Sequence, residues 1–448
     1  MKKSLAWSVA YTSVFTLLFN AFSIAQNHTG ENPAAEAADL QFVIYLTRHG
    51  VRSPTGKAAQ YNKYSAAAWP EWNVPPGYLT SHGYKLMSIF GAYDRAKLAA
   101  DGLLSPRGCE DATHISILAD SDQRTRETGK ALAEGMFPGC AVALQASNEG
   151  TVDPLFHFLE AAPVSIDQGL ATAAVAGRIG GDINNLTSAY RPQLSQLEHV
   201  LAGCDTSSPP TSRRTSLFDV PATLEPGSHG QPVELRGPLA VASTLSENLL
   251  LEYTEGMPPS QTGWGCIDGR SLRDLMQLHT AAADLSQRTP AIARIYASNL
   301  IDAILSALEQ RAIGKPIPGS PARPDDRVLI LVGHDTNIAT VAGALRLDWI
   351  IDGRRNDTPP GGALVFELWR SRVDHQPFVR LRYTAQTLEQ MREATLLTAA
   401  HPPADVPVFL PGCSRADMSC SWPEFLRIVK DAIDISYVDR NRRYQDHK

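Results

Sequence analysis

A histidine stands between two arginines in the run Tyr45-Leu46-Thr47-Arg48-His49-Gly50-Val51-Arg52-Ser53-Pro54. These residue types at this spacing make a phosphate site with a nucleophile inside it. An imidazole nitrogen can attack a phosphoryl group and hold it covalently, while guanidinium forks neutralise and orient the oxygens that do not transfer. Two further stretches fit the same chemistry: Asp120-Ser121-Asp122-Gln123-Arg124-Thr125-Arg126 and Gly333-His334-Asp335-Thr336-Asn337. No Walker-type loop is present, and arginines can supply the charge stabilisation that magnesium supplies elsewhere, so the chemistry requires no metal and no cofactor. Taken alone, His49 would pass for a packed core histidine and Asp335 for a helix cap. The five fixed positions of Arg-His-Gly-x-Arg-x-Pro weigh against that, since chance would produce them on the order of once in ten thousand chains this long.

The elements that must position these groups follow from the apolar runs before them. Residues 41–46, 114–119 and 327–332 have the length and β-branched content of buried strands. Each ends at one of the three stretches, and ligands of open α/β sheets bind at the carboxyl ends of strands. The second run passes straight into a helix start at Arg124, which is itself an anion site. Residues 363–369 and 378–383 would complete the sheet with antiparallel edge strands. From residue 151 to 285 strand signals fade, and apolar spacing predicts helices over 185–202 and 239–253, then over 271–289 and 290–311. The expected fold is therefore α/β: a central, mostly parallel sheet flanked by helices, with a smaller, mostly helical domain inserted. The expected division is a signal peptide over 1–25, the α/β domain over 26–150 and 286–448, and the insertion over 151–285.

The chain has 448 residues, 43% hydrophobic and 20% charged, the composition of an ordinary globular protein. Lys2-Lys3, an apolar segment from Leu5 to Phe19 and Ser23-Ile24-Ala25 have the form of a cleaved export signal. The lead-in from Gln26 to Asp39 is unpatterned, and the fold is expected to begin at Gln41. Loss of the two lysines would take the formal net charge from -6 to -8, which argues against a nucleic-acid partner. No later stretch reads as long and apolar enough to span a bilayer, so no stable membrane association is expected. Six cysteines in an exported chain imply disulfides, whose connectivity the sequence alone does not give.

The signature at Arg48–Pro54, with the His334-Asp335 pair and Thr358-Pro359-Pro360-Gly361-Gly362, resembles the histidine acid phosphatases, specifically their bacterial periplasmic phytases, over most of the chain from Leu46 to Cys420. The resemblance implies that His49 is the phosphorylated nucleophile and Asp335 the proton donor, with Arg48, Arg52, Arg124 and His334 holding the phosphate; Arg126 is left as a helix charge. An aspartic acid has a reference pKa of about 3.9, and a neighbouring phosphate raises it, so the cycle should run best in acid. Thr55 and Lys57 continue the signature as a basic, hydroxyl-bearing loop and are expected to contact substrate, as is Thr336. Glu247 corresponds to a specificity glutamate of the family, or is one more exposed helical carboxylate. Arg288 resembles a substrate-contacting arginine, or simply complements a helix C-terminus. The family's bridges imply Cys109 with Cys140 and Cys413 with Cys420. Cys204 and Cys266 remain and are expected to pair, although the family's bridge near Cys204 lacks its second cysteine here. The implied activity is that of a monomeric periplasmic or secreted acid phosphomonoesterase acting on phytate and other small phosphate monoesters. Its alternatives are a glucose-1-phosphatase-like sugar-phosphate phosphatase and a non-catalytic binding protein for phosphorylated ligands.

Overall fold

The apolar run that leads into Arg48 becomes the central strand of the sheet. The computed structural model describes residues 38–162, 164–204, 214–228, 231–440 and 442; the expected leader and the loop at 207–213 lie outside them. In chain order the sheet strands are β1 (Ala38–Arg48), β2 (Ile115–Ala119), β3 (Ala143–Ala146), β4 (Val328–Gly333), β5 (Ala363–Ser371), β6 (Pro377–Ala385), β7 (Ala404–Pro407) and β8 (Cys420–Ser421). The longer helices are α1 (Ser81–Ala100), α2 (Gln123–Met136), α3 (Gln168–Arg178), α4 (Arg191–Leu201), α5 (Pro238–Thr254), α6 (Gly269–Ser286), α7 (Pro290–Ile313), α8 (Asp335–Leu345) and α9 (Trp422–Ala432).

The strand order is β7-β6-β5-β1-β4-β2-β3, with β8 paired to β6. β1, β4, β2 and β3 run parallel, and β5 and β6 join antiparallel, as the sequence predicts. Register does the positioning: Arg48 lies level with Gly333, and Ala119 with Val332, so His49, Asp120 and His334 emerge at one edge. Helices cover both faces, which is why β1 reads as a continuous apolar run rather than an alternating one. Phe42, Ile44 and Leu46 pack with α7 and α8 on one face, and Val43 and Tyr45 with α1 and α2 on the other. The strand starts earlier than expected. Ala38 and Asp39 already pair with β5, and Asp39 is bonded to Arg372.

A third core holds the helical layer, built on Leu194, Leu197 and Leu201 of α4, Leu245 and Leu249 of α5, and Leu272 and Leu275 of α6. Val51, between the two signature arginines, is buried in that same core. The helix expected over 185–202 is two, Asn184–Ala189 and Arg191–Leu201, because a proline at the start of a helix lacks the N–H that would continue the preceding one. A two-stranded hairpin, Thr223–Pro226 with Val233–Arg236, interrupts the helical region. The cysteines pair as Cys109–Cys140, Cys204–Cys266 and Cys413–Cys420. Among the described residues one helix, α7, is after all long and apolar enough to cross a membrane; 67% of its apolar window is buried, and its side chains pack on the sheet.

Burial leaves one carboxyl of the helical layer with a titration of its own. Glu252 on α5 accepts a hydrogen bond from Gly263 N–H at 2.9 Å, and burial pushes its pKa up to about 8. An unfolded glutamate titrates near 4.3, so the fold favours the protonated form. That contribution is fully present below about pH 4.3 and is lost at about 1.4 kcal/mol per unit as pH rises toward the folded value. Glu252→Gln keeps the acceptor for Gly263 and cannot ionise. Its thermal midpoint should match the parent chain at pH 4 and exceed it by several degrees at pH 8; an equal difference at both pH values would show that burial of this carboxyl does not govern the slope.

Candidate active site

Arg48 closes β1 with its side chain at 0% exposure. Its Nη1 donates to the Thr358 carbonyl at 2.7 Å, and its Nη2 pairs with Glu247 and, at 3.2 Å, with Asp335. His49 N–H donates to the Gly333 carbonyl at 3.0 Å, which carries the parallel ladder one residue past the strand. The His49 ring is fixed by Nδ1, 2.9 Å from the Gly50 carbonyl. A carbonyl can only accept, so Nδ1 carries the hydrogen and Nε2 keeps its lone pair. Burial, then the charges of Arg124, Arg48 and Arg52, hold this imidazole well below its ordinary pKa. Both influences favour the neutral ring.

The chain can turn this tightly because residue 50 has no side chain. A Cβ on Gly50 would stand 2.8 Å from Met87 Cγ and 3.1 Å from the Gly83 carbonyl on α1. Gly50 N–H donates to Thr128 Oγ1 at 2.9 Å, which ties the loop to α2. Arg52 then reaches Glu247 at 3.1 Å. From the first turn of α2, Arg124 brings its Nη2 to 3.5 Å from His334 Nδ1. The Nε–H groups of Arg48, Arg52 and Arg124 are buried without partners, so the cluster holds more donors than acceptors.

His334 caps α8: its N–H donates to Asn337 Oδ1 at 2.8 Å, and its Nε2 lies 2.6 Å from Asp120 Oδ2. The His49 and His334 ring centroids are 5.6 Å apart. Asp335 opens the helix and accepts from Thr336 N–H at 2.8 Å. Burial alone would raise the pKa of Asp335, but Arg48, His279 and Arg52 outweigh it and hold the carboxyl below its ordinary range. Glu247 is governed the same way: burial is opposed by Arg52, Arg48 and His279, and the net direction is down. A phosphate drawn in among the arginines would reverse both, by neutralising the cations and adding negative charge.

Two carboxylate–imidazole groups border the cluster. Asp120, His157 and His334 converge, but at 2.9 and 2.6 Å the separations are those of direct hydrogen bonds, with one carboxylate oxygen taken by both rings. Glu247, His279 and Asp335 offer ligand atoms within 4.8 Å of one another.

The structure brings Arg48, His49, Arg52, Arg124, His334, Asp335 and Glu247 together. Glu247 is no exposed helix charge, since its oxygen spans two buried arginines. Thr55 stands at the rim, its Cγ2 and Arg124 Nη1 lying 3.6 and 3.5 Å from the point where a Cβ on Gly77 would be. Lys57 is exposed and lines a separate crevice of about 280 Å³ with Tyr61, Trp69 and Trp72. Thr336 is exposed and faces a cavity shared with His157. Arg288 stays out of the cluster. It packs against Gly343 near the far end of α8, and at 1.5 Å per residue the eight positions from Asp335 put it about 12 Å away. Its guanidinium binds the Leu347 carbonyl and, at 3.0 Å, Asp348, in keeping with a cation at a helix C-terminus. Asp120, His157 and His279 were not singled out by sequence. Asp120 carried a signal, as the first residue after a strand; the two histidines carried none.

A neutral imidazole with a free Nε2 among arginines, at the strand ends of an α/β sheet, serves phosphoryl transfer from monoesters. Comparison with known proteins agrees. Residues 39–208 and 243–384 match the model of the histidine phosphatase superfamily (branch 2), and the chain belongs to that family. It is a phosphoric monoester hydrolase. It is 37% identical over 407 residues to phytase AppA of Escherichia coli (strain K12), covering 88% of this chain and 92% of that protein. It is 31% identical over 405 residues to the glucose-1-phosphatase of Salmonella typhimurium, covering 89% and 93%. A structure of Hafnia alvei phytase in complex with myo-inositol hexakis sulphate superposes with a TM-score of 0.80 at 34% identity, over 90% of this chain and 99% of that one.

The position of Glu247 yields a test of its two readings. Its charge competes with any anion for Arg48 and Arg52, so Glu247→Gln should tighten competitive inhibition by inorganic phosphate about five- to tenfold. Weaker inhibition would mean that this carboxylate helps to bind the ligand.

Proposed function

We propose that this protein is an exported phytase with broader acid phosphomonoesterase activity, working through a phosphohistidine on His49. The observation that carries the reading is the bare Nε2 of His49 beside Arg48, whose guanidinium lies 3.2 Å from Asp335. In the proposed cycle His49 Nε2 attacks phosphorus in line while Arg48, Arg52, Arg124 and His334 hold the other oxygens. The ester P–O bond breaks, and Asp335 passes its proton to the leaving alkoxide. Water then attacks phosphorus as Asp335 takes a proton from it, the P–N bond breaks with its electron pair returning to His49 Nε2, and inorganic phosphate leaves.

The helical insertion over residues 151–285 serves in this reading as the cover of the site, because it supplies Glu247 and His279. Thr55 lies beside Arg124, where a further phosphate of a polyphosphorylated ring would reach; Lys57 would meet substrate only through its own crevice, and Thr336 borders the site on the side of His157. Arg288 could act on substrate only after leaving Asp348. Three disulfides support a periplasmic or extracellular location, and the glucose-1-phosphatases among its relatives support the sugar-phosphate alternative.

A substrate panel in acid should give a higher kcat/KM for phytate than for glucose 1-phosphate; the reverse order favours the alternative. His49→Ala should abolish turnover and phosphoenzyme trapping, and retained activity would overturn the covalent route. Asp335→Asn should slow single-turnover phosphoenzyme formation from phytate about a hundredfold or more, and from nitrophenyl phosphate much less, because a nitrophenolate leaves almost unaided. Equal losses would reduce Asp335 to a positioning group.

A further inference from the structure

Behind His334 the site continues into a carboxylate shared by two rings. Asp120 Oδ2 lies 2.6 Å from His334 Nε2 and 2.9 Å from His157 Nε2, while Asp120 Oδ1 accepts from Ser121 N–H at 2.8 Å. Asp120 is sealed from solvent and His334 is buried, but the His157 side chain is 29% exposed and lines a cavity of about 190 Å³ with Glu160, Tyr296 and Thr336. The two imidazoles lie 5.2 Å apart, centroid to centroid.

We propose that His157 is a positioning residue that sets the charge carried by His334, by competing with it for the single carboxylate of Asp120. The proposal rests on the reading that His334 holds a substrate oxygen. To do so by donating from Nδ1 while Nε2–H remains on Asp120, His334 must carry both protons. One carboxylate stabilises one imidazolium well. When His157 is charged, its own N–H occupies the same oxygen, and its charge opposes a second one about 5 Å away.

The surroundings decide which ring is charged first. Facing His334 are Arg124, 3.5 Å from Nδ1, and Asp122, 3.6 Å from Nε2. The His49 ring stands opposite it, and Asp335 follows it on α8. Facing His157 are Glu160, 3.6 Å from Nδ1, and the carboxylates of Asp122 and Asp153. The cation therefore lies beside His334, Asp122 is near both rings, and Glu160 and Asp153 are the extra anions beside His157. In agreement, burial, Arg124 and His157 lower the pKa of His334 although Asp120 opposes them, while Asp120, Glu160 and Asp122 overcome burial and raise that of His157. As pH falls, His157 takes the first proton from its solvent-filled side and His334 the second. His157 thereby confines the anion-gripping form of His334 to more acid conditions.

The test is the pH dependence of competitive inhibition by inorganic sulfate, which stays a dianion throughout and so reports only on groups of the protein. The full chain would be compared with His157→Gln, which can still donate to Asp120 but carries no charge, and with His157→Ala. Both should move the pH at which sulfate affinity falls upward by about one unit. If His157 were only an anchor, Gln would follow the parent curve and Ala would lose affinity equally at every pH; either result overturns the proposal. His334→Ala separates the two levels. It should remove only the part of the fall that the His157 variants shift, leaving that of Asp335 and Glu247, so that adding His157→Gln in this background moves nothing; a one-unit shift there would overturn the role of His334 and the proposal with it.

Discussion

The fully buried guanidinium of Arg48 is the interaction on which the rest of the structure depends. Taking such a charge out of water costs several kcal/mol unless partners meet it in good geometry. Here they come from three directions: the Thr358 carbonyl ahead of β5, Glu247 from α5 and Asp335 from the start of α8. The cation thus ties the sheet, the helical layer and the segment after β4 to one point. Neither carboxylate could be removed without leaving buried positive charge, and the arginine favours the ionised form of both, with Arg52 acting beside it. The arrangement also excludes a loosely held nucleophile. His49 is the next residue along, and its backbone is fixed by Gly333 and by Gly361, whose N–H donates to the His49 carbonyl at 2.9 Å.

From that constraint follows a division of charge that suits work in acid. The imidazole that must be neutral is surrounded by cations, and the carboxyls that must respond to ligand sit against those same cations. A nucleophile with a lowered pKa remains deprotonated where an ordinary histidine would be silenced. Desolvation acts on His49 and on Asp335 in opposite senses, and the local charges reinforce it at the histidine but override it at the aspartate.

The framework was legible in the sequence because strand ends are marked by types that cannot lie inside a buried sheet. The breaks after Leu46, Ala119 and Val332 fall one or two positions before Arg48, Asp120 and His334, although Asp120 itself was passed over in favour of Arg124. Helix existence was legible for the same reason, but interruptions were not: Pro192 marked the division of the 185–202 run, and the hairpin at Thr223–Arg236 has too few alternating positions to stand out. Pairing across long separations was invisible. Whether Glu247 faces water or two arginines depends on how α5 docks, 195 residues after Arg52, and nothing in its helical spacing carries that information. Arg288 failed in the opposite way, since the pattern around it suggested a ligand contact while its neighbours Asp348 and Leu347 already occupy it. His157 and His279 sit in unremarkable local sequence and acquire meaning only from the carboxylates the fold brings to them.

In the proposed reaction, binding a substrate and loading the acid are one event. The resting site is charge-balanced within itself, with Glu247 and Asp335 standing where anionic oxygens would otherwise gather. A phosphate entering among Arg48, Arg52 and Arg124 must displace or share those partners, and the surplus negative charge is relieved most directly by protonating the carboxylate that is less constrained. Glu247 is held by two arginines, whereas Asp335 meets only Arg48, at 3.2 Å, and is the more exposed of the two. The proton therefore goes to Asp335, the group placed at a helix start beside the nucleophile. In that reading the acid arises with phosphate, and the lowered pKa of Asp335 is set by the same arginines that would hold the substrate.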